Sequence, residues 1–342
     1  MPAGDSFSRL RTPVCDLLGC EYPILQAGMG GVARAELVSA VTAAGGYGFL
    51  GMVREPPQRI ADEIGKVREQ TGKPFGVNII PAATEPALLE RQVEVCLREK
   101  VHSVCLFWDV DAKLIGRLRE AGILVLHQVG GVADADDAWR AGAQILIAQG
   151  REAGGHVRGE QSVLTLTPQI VDATPLPVIA SGGIVDGRQM AAVMMLGAQG
   201  IHCGTLFLAT FESNAHDYHK RRVVQAKSED TLHTTLFHIN WPDHAPVRVI
   251  QNSVTRGEHD SSRIIIGQED ERPIYLFSTD SPLRETDGDL EAMALYAGQG
   301  VSAINAIVPA RQRIEDLLRQ AAAAFDTREK SHHGSIGKVV TG

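Results

Sequence analysis

Two glycine-containing turns carry the residue types that bind a small anion through the protein backbone. Ser181-Gly182-Gly183 and Gly204-Thr205 each follow a short apolar run. Glycine allows backbone N–H groups to approach an anion closely, and a hydroxyl adds another donor, so no lysine or arginine is needed. Either turn alone is also typical of ordinary chain reversal. Because both follow apolar runs in the same way, together they favour a bound phosphate group.

Uncharged hydrogen-bonding side chains stand at the ends of four other apolar runs. These side chains are Gln26, Asn78, Gln128 and Gln149. Amides both donate and accept hydrogen bonds, which suits an aromatic cofactor that presents ring nitrogens and carbonyl groups.

His156 is the candidate acid–base residue of the sequence. It follows Gly154 and Gly155 in a loop where close approach to a ligand is expected. An imidazole there can accept a proton or donate a hydrogen bond to an anion at neutral pH. The alternative is a histidine on a surface loop. His127 closes an apolar run, so we expect it to be a hydrogen-bonded core residue.

The sequence gives little support for a metal site or for a cysteine nucleophile. Seven histidines lie between His202 and His259, and His216 and His219 have an H-x-x-H spacing. No CxxC or HExxH pattern accompanies them, so we expect surface or lid histidines and no metal site. Cys203 lies within an apolar run and is expected to be a buried thiol rather than a nucleophile.

Eight short apolar runs in the first two hundred residues predict the strands that position these residues. Their apolar character without alternation is typical of parallel strands buried on both faces. The predicted strands are 23–27, 46–50, 75–79, 101–107, 123–127, 144–148, 177–181 and 199–203. The predicted helices between them are 36–43, 58–70, 86–99, 112–121, 135–141, 167–173 and 187–196.

This alternation predicts an α/β protein with a (β/α)8 TIM barrel, in which the loops after the strands carry the site. A doubly wound sheet is the alternative, because Gly28-Met29-Gly30-Gly31-Val32-Ala33 fits a G-x-G-x-x-A dinucleotide motif. The second predicted strand ends in Leu50-Gly51-Met52, without an acidic residue to hold a ribose. The barrel is therefore favoured, mainly by the number of elements.

The remaining chain suggests an addition to the barrel. We expect residues 10–205 and 300–325 to form the barrel, and residues 206–299 to form a helical and loop lid over its mouth. Residues 286–325 have helical spacing, with Leu290, Met293, Ala294 and Ala297 at i, i+3, i+4 and i+7. Residues 331–342 are mostly small and polar and are expected to form a flexible tail.

Composition excludes several classes of function. A formal net charge of −8 argues against nucleic acid as a partner. No run approaches the roughly 20 apolar residues of a membrane span, and the N-terminus lacks the apolar core of a signal peptide. The five cysteines are scattered and odd in number, which favours free thiols and a cytoplasmic location.

The chain resembles the nitronate monooxygenases, formerly called 2-nitropropane dioxygenases, over roughly residues 10–325. The resemblance depends above all on AQGREAGGHVRG at 148–159. Further matching segments are PILQAGMGG near the start, FGVN at 75–78, PVIASGGIVDGRQM at 177–190, CGTLFLATFES at 203–213 and LYAGQGVSAI at 295–304. Members of this family are FMN-binding (β/α)8 barrels with an added C-terminal helical region.

Transferred residue by residue, the resemblance implies where FMN and substrate bind. The flavin would contact Gly28, Met29, Asn78, Gln128, Gln149, Gly154 and Gly155. The phosphate would lie on Ser181, Gly182, Gly183, Gly204 and Thr205, where the residues themselves suggest an anion. His156 matches the active-site histidine. The chain departs from many relatives at His202 and Cys203, and from some at Gln128.

The resemblance implies FMN-dependent oxidation of alkyl nitronates, and of nitroalkanes, by dioxygen to a carbonyl compound and nitrite. His156 would stabilise the nitro oxygens or remove the α-proton of a nitroalkane. The alternative is an NAD(P)H-dependent flavin reductase of the quinone or enoyl-acyl-carrier-protein type, although neither a nucleotide-binding insert nor an arginine-rich entrance is evident. A flavin-binding scaffold without activity is a third hypothesis. Expected partners are a small-molecule substrate and dioxygen, without nucleic acid or membrane, and a homodimer is the candidate assembly.

Overall fold

Eight parallel strands close into a barrel in the computed structural model, which describes residues 7–260 and 264–335. The strands are β1 (Ile24–Gln26), β2 (Tyr47–Gly51), β3 (Gly76–Ile79), β4 (Ser103–Phe107), β5 (Leu124–Val129), β6 (Ile145–Gln149), β7 (Val178–Ser181) and β8 (Gly200–Cys203). β8 pairs with β1, with Ile201 opposite Ile24. The predicted barrel is therefore correct, and the doubly wound sheet is excluded.

Helices alternate with these strands as predicted. They are α1 (Val14–Leu18), α2 (Ala35–Ala43), α3 (Pro57–Gln70), α4 (Pro86–Arg98), α5 (Ala112–Glu120), α6 (Val132–Ala141), α7 (Val163–Ala173), α8 (Gly187–Met195), α9 (Thr205–Leu208), α10 (Asp217–Gln225) and α11 (Ala310–Ser335). The C-terminal helix α11 packs against α8 and α2, so it stands beside the closing pair of strands.

The barrel interior is filled by side chains and sealed by α1. Tyr47, Phe49 and Leu126 point into one buried cluster, and Val14 and Leu18 of α1 belong to the same cluster. Full burial of such side chains contributes about 1.5–3 kcal/mol each. The interior is therefore a packed core, which leaves the loops at the strand ends free to form a site.

The predicted lid, 206–299, is less helical than expected. α9 and α10 are followed by antiparallel strands, and one three-stranded sheet joins Thr231–Thr234, Val247–Ile250 and Gly155–His156. A second joins Arg272–Tyr275, Ile265–Glu269 and Asp287–Gly288. Strands of two to five residues leave little periodic signal, and their pairing partners are distant in sequence, so the sequence did not indicate them.

The predicted helix over 286–325 is correct only in its second half. α11 begins at Ala310, whereas the preceding segment contains two 3₁₀ turns, Leu290–Ala292 and Gln299–Ala303. Met293 and Ala294 are buried, but no continuous helix connects them to α11. Of the predicted tail, residues 331–335 continue α11, and residues 336–342 lie outside the described residues. No helix among the described residues is both long enough and apolar enough to cross a bilayer.

Two of the seven histidines between His202 and His259 lie in the protein interior, contrary to the expectation of surface or lid positions. His202 belongs to β8 and is 5% exposed, and His219 belongs to α10 and is fully buried. The Nε2 of His219 donates to the carbonyl oxygen of Tyr296 at 3.0 Å. Burial disfavours the charged imidazolium and lowers the pKa of each ring from 6.5 to about 4.

Lowering the pH from 7 to 5 is expected to destabilise the fold through His202 and His219. In the unfolded chain each ring has a pKa near 6.5, but in the native state about 4, so the unfolded state binds more protons over this interval. The stability that neutral rings maintain above pH 6.5 is lost as the pH falls, by about 2 kcal/mol per histidine at pH 5. Urea unfolding at both pH values measures this loss.

The variant His219→Gln isolates the contribution of His219 to the pH dependence of stability, because glutamine can still donate to the Tyr296 carbonyl but does not titrate. The free energy of unfolding of this variant should fall less between pH 7 and pH 5. His238→Gln changes an exposed lid residue and should keep the wild-type dependence. A wild-type pH dependence in His219→Gln would show that His219 is not held neutral in the native state.

Candidate active site

A cavity of about 680 Å³ opens at the carboxyl ends of the barrel strands. Thirteen of the fourteen residues selected from the sequence line it: Gly28, Met29, Asn78, Gln128, Gln149, Gly154, Gly155, His156, Ser181, Gly182, Gly183, Gly204 and Thr205. They come from the ends of β1, β3, β5, β6, β7 and β8, as the barrel requires. The structure thus brings the predicted residues together, while their individual roles stay predictions.

The turn after β7 forms a backbone cradle. Gly182 and Gly183 have φ values of 113° and 68°, a conformation that residues with a Cβ rarely adopt. A Cβ on Gly182 would also lie 2.9 Å from the carbonyl oxygen of Gly150. The N–H groups of Gly182, Gly183 and Gly204 have no hydrogen-bond acceptor within the part of the chain that the structure describes. Free N–H groups from two adjacent strand ends fit an anion such as phosphate.

The two hydroxyls of this region already have partners. The Ser181 hydroxyl donates to the carbonyl oxygen of His202 at 3.1 Å and lies 3.1 Å from its Nδ1. The Thr205 hydroxyl oxygen accepts from the N–H of Gly298 at 3.0 Å. Because the Thr205 oxygen only accepts in this contact, its O–H can still donate and adds to the backbone N–H donors of the cradle.

The predicted amide side chains differ in their surroundings. Gln128 and Asn78 line the cavity, and the Asn78 amide donates to the carbonyl oxygen of Cys105 at 3.0 Å. Gln149 instead holds the next loop, because its amide donates to the carbonyl oxygen of His156 at 2.8 Å and its oxygen accepts from the N–H of Arg158. Gln26 is an incorrect prediction: it is fully buried, and its amide pairs with the backbone of Phe49.

His156 is held by the barrel and by the lid at once. Its backbone pairs with Val247 of the lid strand, and Gln149 at the end of β6 holds its carbonyl oxygen. The ring Nε2 is buried and has no hydrogen-bond partner among the described residues. A buried polar atom without a hydrogen-bond partner destabilises the folded protein by about 1–3 kcal/mol. A ligand that bonds to this nitrogen would remove that penalty.

The surroundings of His156 keep its ring neutral. Burial is the main reason that its pKa lies well below the ordinary value, and the positive charge of Arg54 adds to the effect. His127, by contrast, is a core histidine as expected, because its Nδ1 donates to the carbonyl oxygen of Gln128 at 3.0 Å. Since a weakly basic, neutral imidazole is a hydrogen-bond donor more than a base, this site favours stabilisation of a negative oxygen.

The sequence analysis missed the lid residues of the cavity. Trp241 stacks on His156 with ring centroids 3.4 Å apart and planes 17° apart. The ring of Tyr296 lies 5.9 Å from that of His156, and its hydroxyl donates to the carbonyl oxygen of Thr279. Trp241 follows no barrel strand, so the strand-end rule did not select it. Arg54, which comes shortly after β2, could have been found by that rule.

Four arginines line the cavity rim, although the sequence showed no arginine-rich entrance. They come from positions distant in the chain, and each is paired with a carboxylate. The pairs are Arg34–Glu55 at 2.6 Å, Arg54–Asp280 at 3.3 Å, Arg59–Asp270 at 2.8 Å and Arg272–Glu269 at 2.7 Å. Four positive and four negative side chains give these pairs no net charge, so the rim is not a basic surface.

Comparison with known proteins supports the resemblance stated above. The sequence model of the nitronate monooxygenase family matches residues 11–320. The chain is 40% identical over 258 residues, 75% of this chain and 70% of the relative, to the (3aS,4S,5R,7aS)-5-hydroxy-7a-methyl-1-oxo-octahydro-1H-indene-4-carboxyl-CoA dehydrogenase of Mycobacterium tuberculosis.

Two solved structures have the same fold over almost their full length. FabK from Thermotoga maritima is 33% identical with a TM-score of 0.80, and the match covers 94% of this chain and 99% of that one. A nitroalkane oxidase from Streptomyces ansochromogenes is 30% identical with a TM-score of 0.76, with coverage of 92% and 99%. The chain therefore belongs to the nitronate monooxygenase family and is a flavin-dependent oxidoreductase.

Proposed function

We propose that this protein is an FMN-dependent nitronate monooxygenase, which oxidises alkyl nitronates with dioxygen to a carbonyl compound and nitrite. The observation that carries the proposal is that a backbone anion cradle and a neutral, unpartnered imidazole open into one cavity. The similarity to a nitroalkane oxidase over 92% of the chain also supports it. Assembly as a homodimer and a cytoplasmic location stay predictions.

The described residues fit FMN. The glycine cradle after β7 and β8 would hold a single phosphate, and the amides of Asn78 and Gln128 are placed to meet polar ring atoms. Gly28 packs so closely on Asn78 that a Cβ there would overlap it, so the turn after β1 is shaped by this contact. When bound, FMN would supply the electron acceptor and the return of electrons to dioxygen.

His156 acts in this proposal as a hydrogen-bond donor rather than as a general base. Its pKa is depressed by burial and by Arg54, so the ring is neutral at pH 7 and a poor proton acceptor. A nitronate has already lost its α-proton and carries negative charge on its oxygens. A hydrogen-bond donor at Nε2 stabilises that negative charge.

A second candidate is an NAD(P)H-dependent reductase or dehydrogenase that acts on an acyl group bound to a phosphate-bearing carrier. The four rim arginines favour it, because arginine binds phosphate in bidentate fashion. The relative from Mycobacterium tuberculosis, which is named for a carboxyl-CoA substrate, supports it as well. The carboxylates paired with these arginines argue against this second function, because a polyanion would have to displace them. We therefore prefer the nitronate monooxygenase.

Anaerobic titration distinguishes these two functions. Addition of propyl-2-nitronate to the purified yellow protein should bleach its flavin absorbance, and addition of NADPH should not. Restoration of air should then yield nitrite and acetone. Bleaching by NADPH with no response to the nitronate would reject the first proposal in favour of the reductase.

The flavin released by heat should be FMN, and its retention should depend on the cradle. Gly204→Asp places a carboxylate beside the phosphate, a repulsion on the order of 4 kcal/mol at an effective dielectric constant of about 20. Gly204→Ala is the matched control, because its Cβ would lie 3.6 Å from the nearest atom, the Sδ of Met29. Flavin absorbance after gel filtration should be lost in the first variant and kept in the second. Released FAD, or full flavin content in a folded Gly204→Asp variant, would contradict this phosphate site.

His156→Leu should retain FMN and lower kcat for a preformed nitronate by about 100-fold, because leucine offers no hydrogen-bond donor to the nitro oxygens. His156→Asn, whose amide can donate but does not titrate, serves for the pH comparison. Because the His156 pKa lies well below 6.5, the wild-type kcat should not change through this group between pH 6.5 and 8. Initial rates with preformed nitronate over that range provide the test. A wild-type inflection near pH 7 that disappears in His156→Asn would show that the histidine titrates and acts as a base.

A further inference from the structure

The indole of Trp241 lies where a substrate must contact His156. The two rings are stacked at a centroid distance of 3.4 Å, which is the contact distance between aromatic planes and leaves no room for a group between them. The Nε2 of His156 and the Nε1 of Trp241 are both buried without a hydrogen-bond partner among the described residues. In this arrangement the face of His156 is covered.

The Trp241 ring is supported from one side by the barrel. It makes an edge contact with Trp108, which directly follows β4, at a centroid distance of 5.8 Å. The guanidinium of Arg158 lies 5.2 Å from the centroid of the Trp108 ring and covers it. These contacts fix the edge of the pocket on the barrel side of the indole.

The segment that carries Trp241 is anchored beside the indole, because the N–H groups of His238 and Ile239 both donate to the carbonyl oxygen of Phe277. It lies between the lid strands Thr231–Thr234 and Val247–Ile250, and Asn240 and His244 adopt positive φ values of 73° and 62°. Arg54 donates to the carbonyl oxygen of Asn240 at 2.6 Å, and the Asn240 amide donates to Asp280 at 3.3 Å. Non-glycine residues with positive φ are uncommon and cluster at functional sites, so the backbone on both sides of Trp241 fits a role in this site.

We propose that Trp241 is the specificity-determining residue of this site: its indole covers His156 and must be displaced by the substrate, so it limits the substrate to small planar anions. A nitronate is planar, and its two oxygens could accept hydrogen bonds from both unpartnered nitrogens. A bulkier group would require the indole to move farther and to break the contacts of Asn240. This inference rests on the proposed function for the identity of the substrate, but the covering of His156 does not.

Chemical modification tests the covering without any substrate. Diethyl pyrocarbonate acylates accessible neutral imidazoles, and peptide mapping by mass spectrometry reports His156 separately from the other histidines. If the covered state is populated to about 90%, modification of His156 should be about tenfold faster in Trp241→Ala than in the wild type. In Trp241→Phe, which retains an aromatic ring at this position, His156 should be modified slowly, as in the wild type. Trp139→Ala removes a half-exposed tryptophan of α6 and should match the wild type.

Turnover of two nitronates tests the specificity. The ratio of kcat/KM for the nitronate of phenylnitromethane to that for ethylnitronate should rise by about tenfold in Trp241→Ala, mainly through KM. Equal modification rates of His156 in the wild type and Trp241→Ala would overturn the covering, and an unchanged kcat/KM ratio would overturn the role in specificity. If the wild type oxidises neither nitronate, the proposed function fails, while the modification rates still decide whether Trp241 covers His156.

Discussion

Hydrogen bonding between β8 and β1 is the constraint on which the site depends. Ile201 and Cys203 lie opposite Ile24 and Gln26, and this pairing turns a twisted sheet into a closed barrel. Closure brings the carboxyl end of β8 beside that of β1, so the turn containing Gly204 lies next to Met29. In an open sheet these two turns would be at opposite edges, and residues from six strand ends could not surround one cavity.

A second, smaller pairing connects this rigid barrel to the lid. The two-residue strand Gly155–His156 pairs with Val247 and Arg248, and Arg248 also donates to the carbonyl oxygen of Arg151. The N–H donors of the anion cradle come from the barrel strand ends, with Gly298 of the lid bonded to the Thr205 hydroxyl, whereas the histidine is positioned jointly by barrel and lid.

The electrostatics of the cavity follow from burial rather than from net charge. The cradle offers N–H dipoles, the rim arginines are matched by carboxylates, and the histidines nearest the interior are neutral because burial lowers their pKa values. An anion entering this cavity meets hydrogen-bond donors without a strong attraction at the rim. A polyanion bound at the rim would have to disrupt the pairs formed by Arg54 and Arg272.

The sequence by itself determined the barrel, the eight strand positions to within two residues, and thirteen of the residues that line the cavity. It could do so because buried parallel strands leave continuous apolar runs, and because in this fold the residue after a strand lies at the mouth. Only the tertiary structure decided that Trp241 stacks on His156, that Gln149 holds the backbone of the next loop while it lines the cavity, and that the rim arginines are paired with carboxylates. Those contacts join residues distant in the chain, and their partners are selected by packing and charge in three dimensions, which no local pattern records.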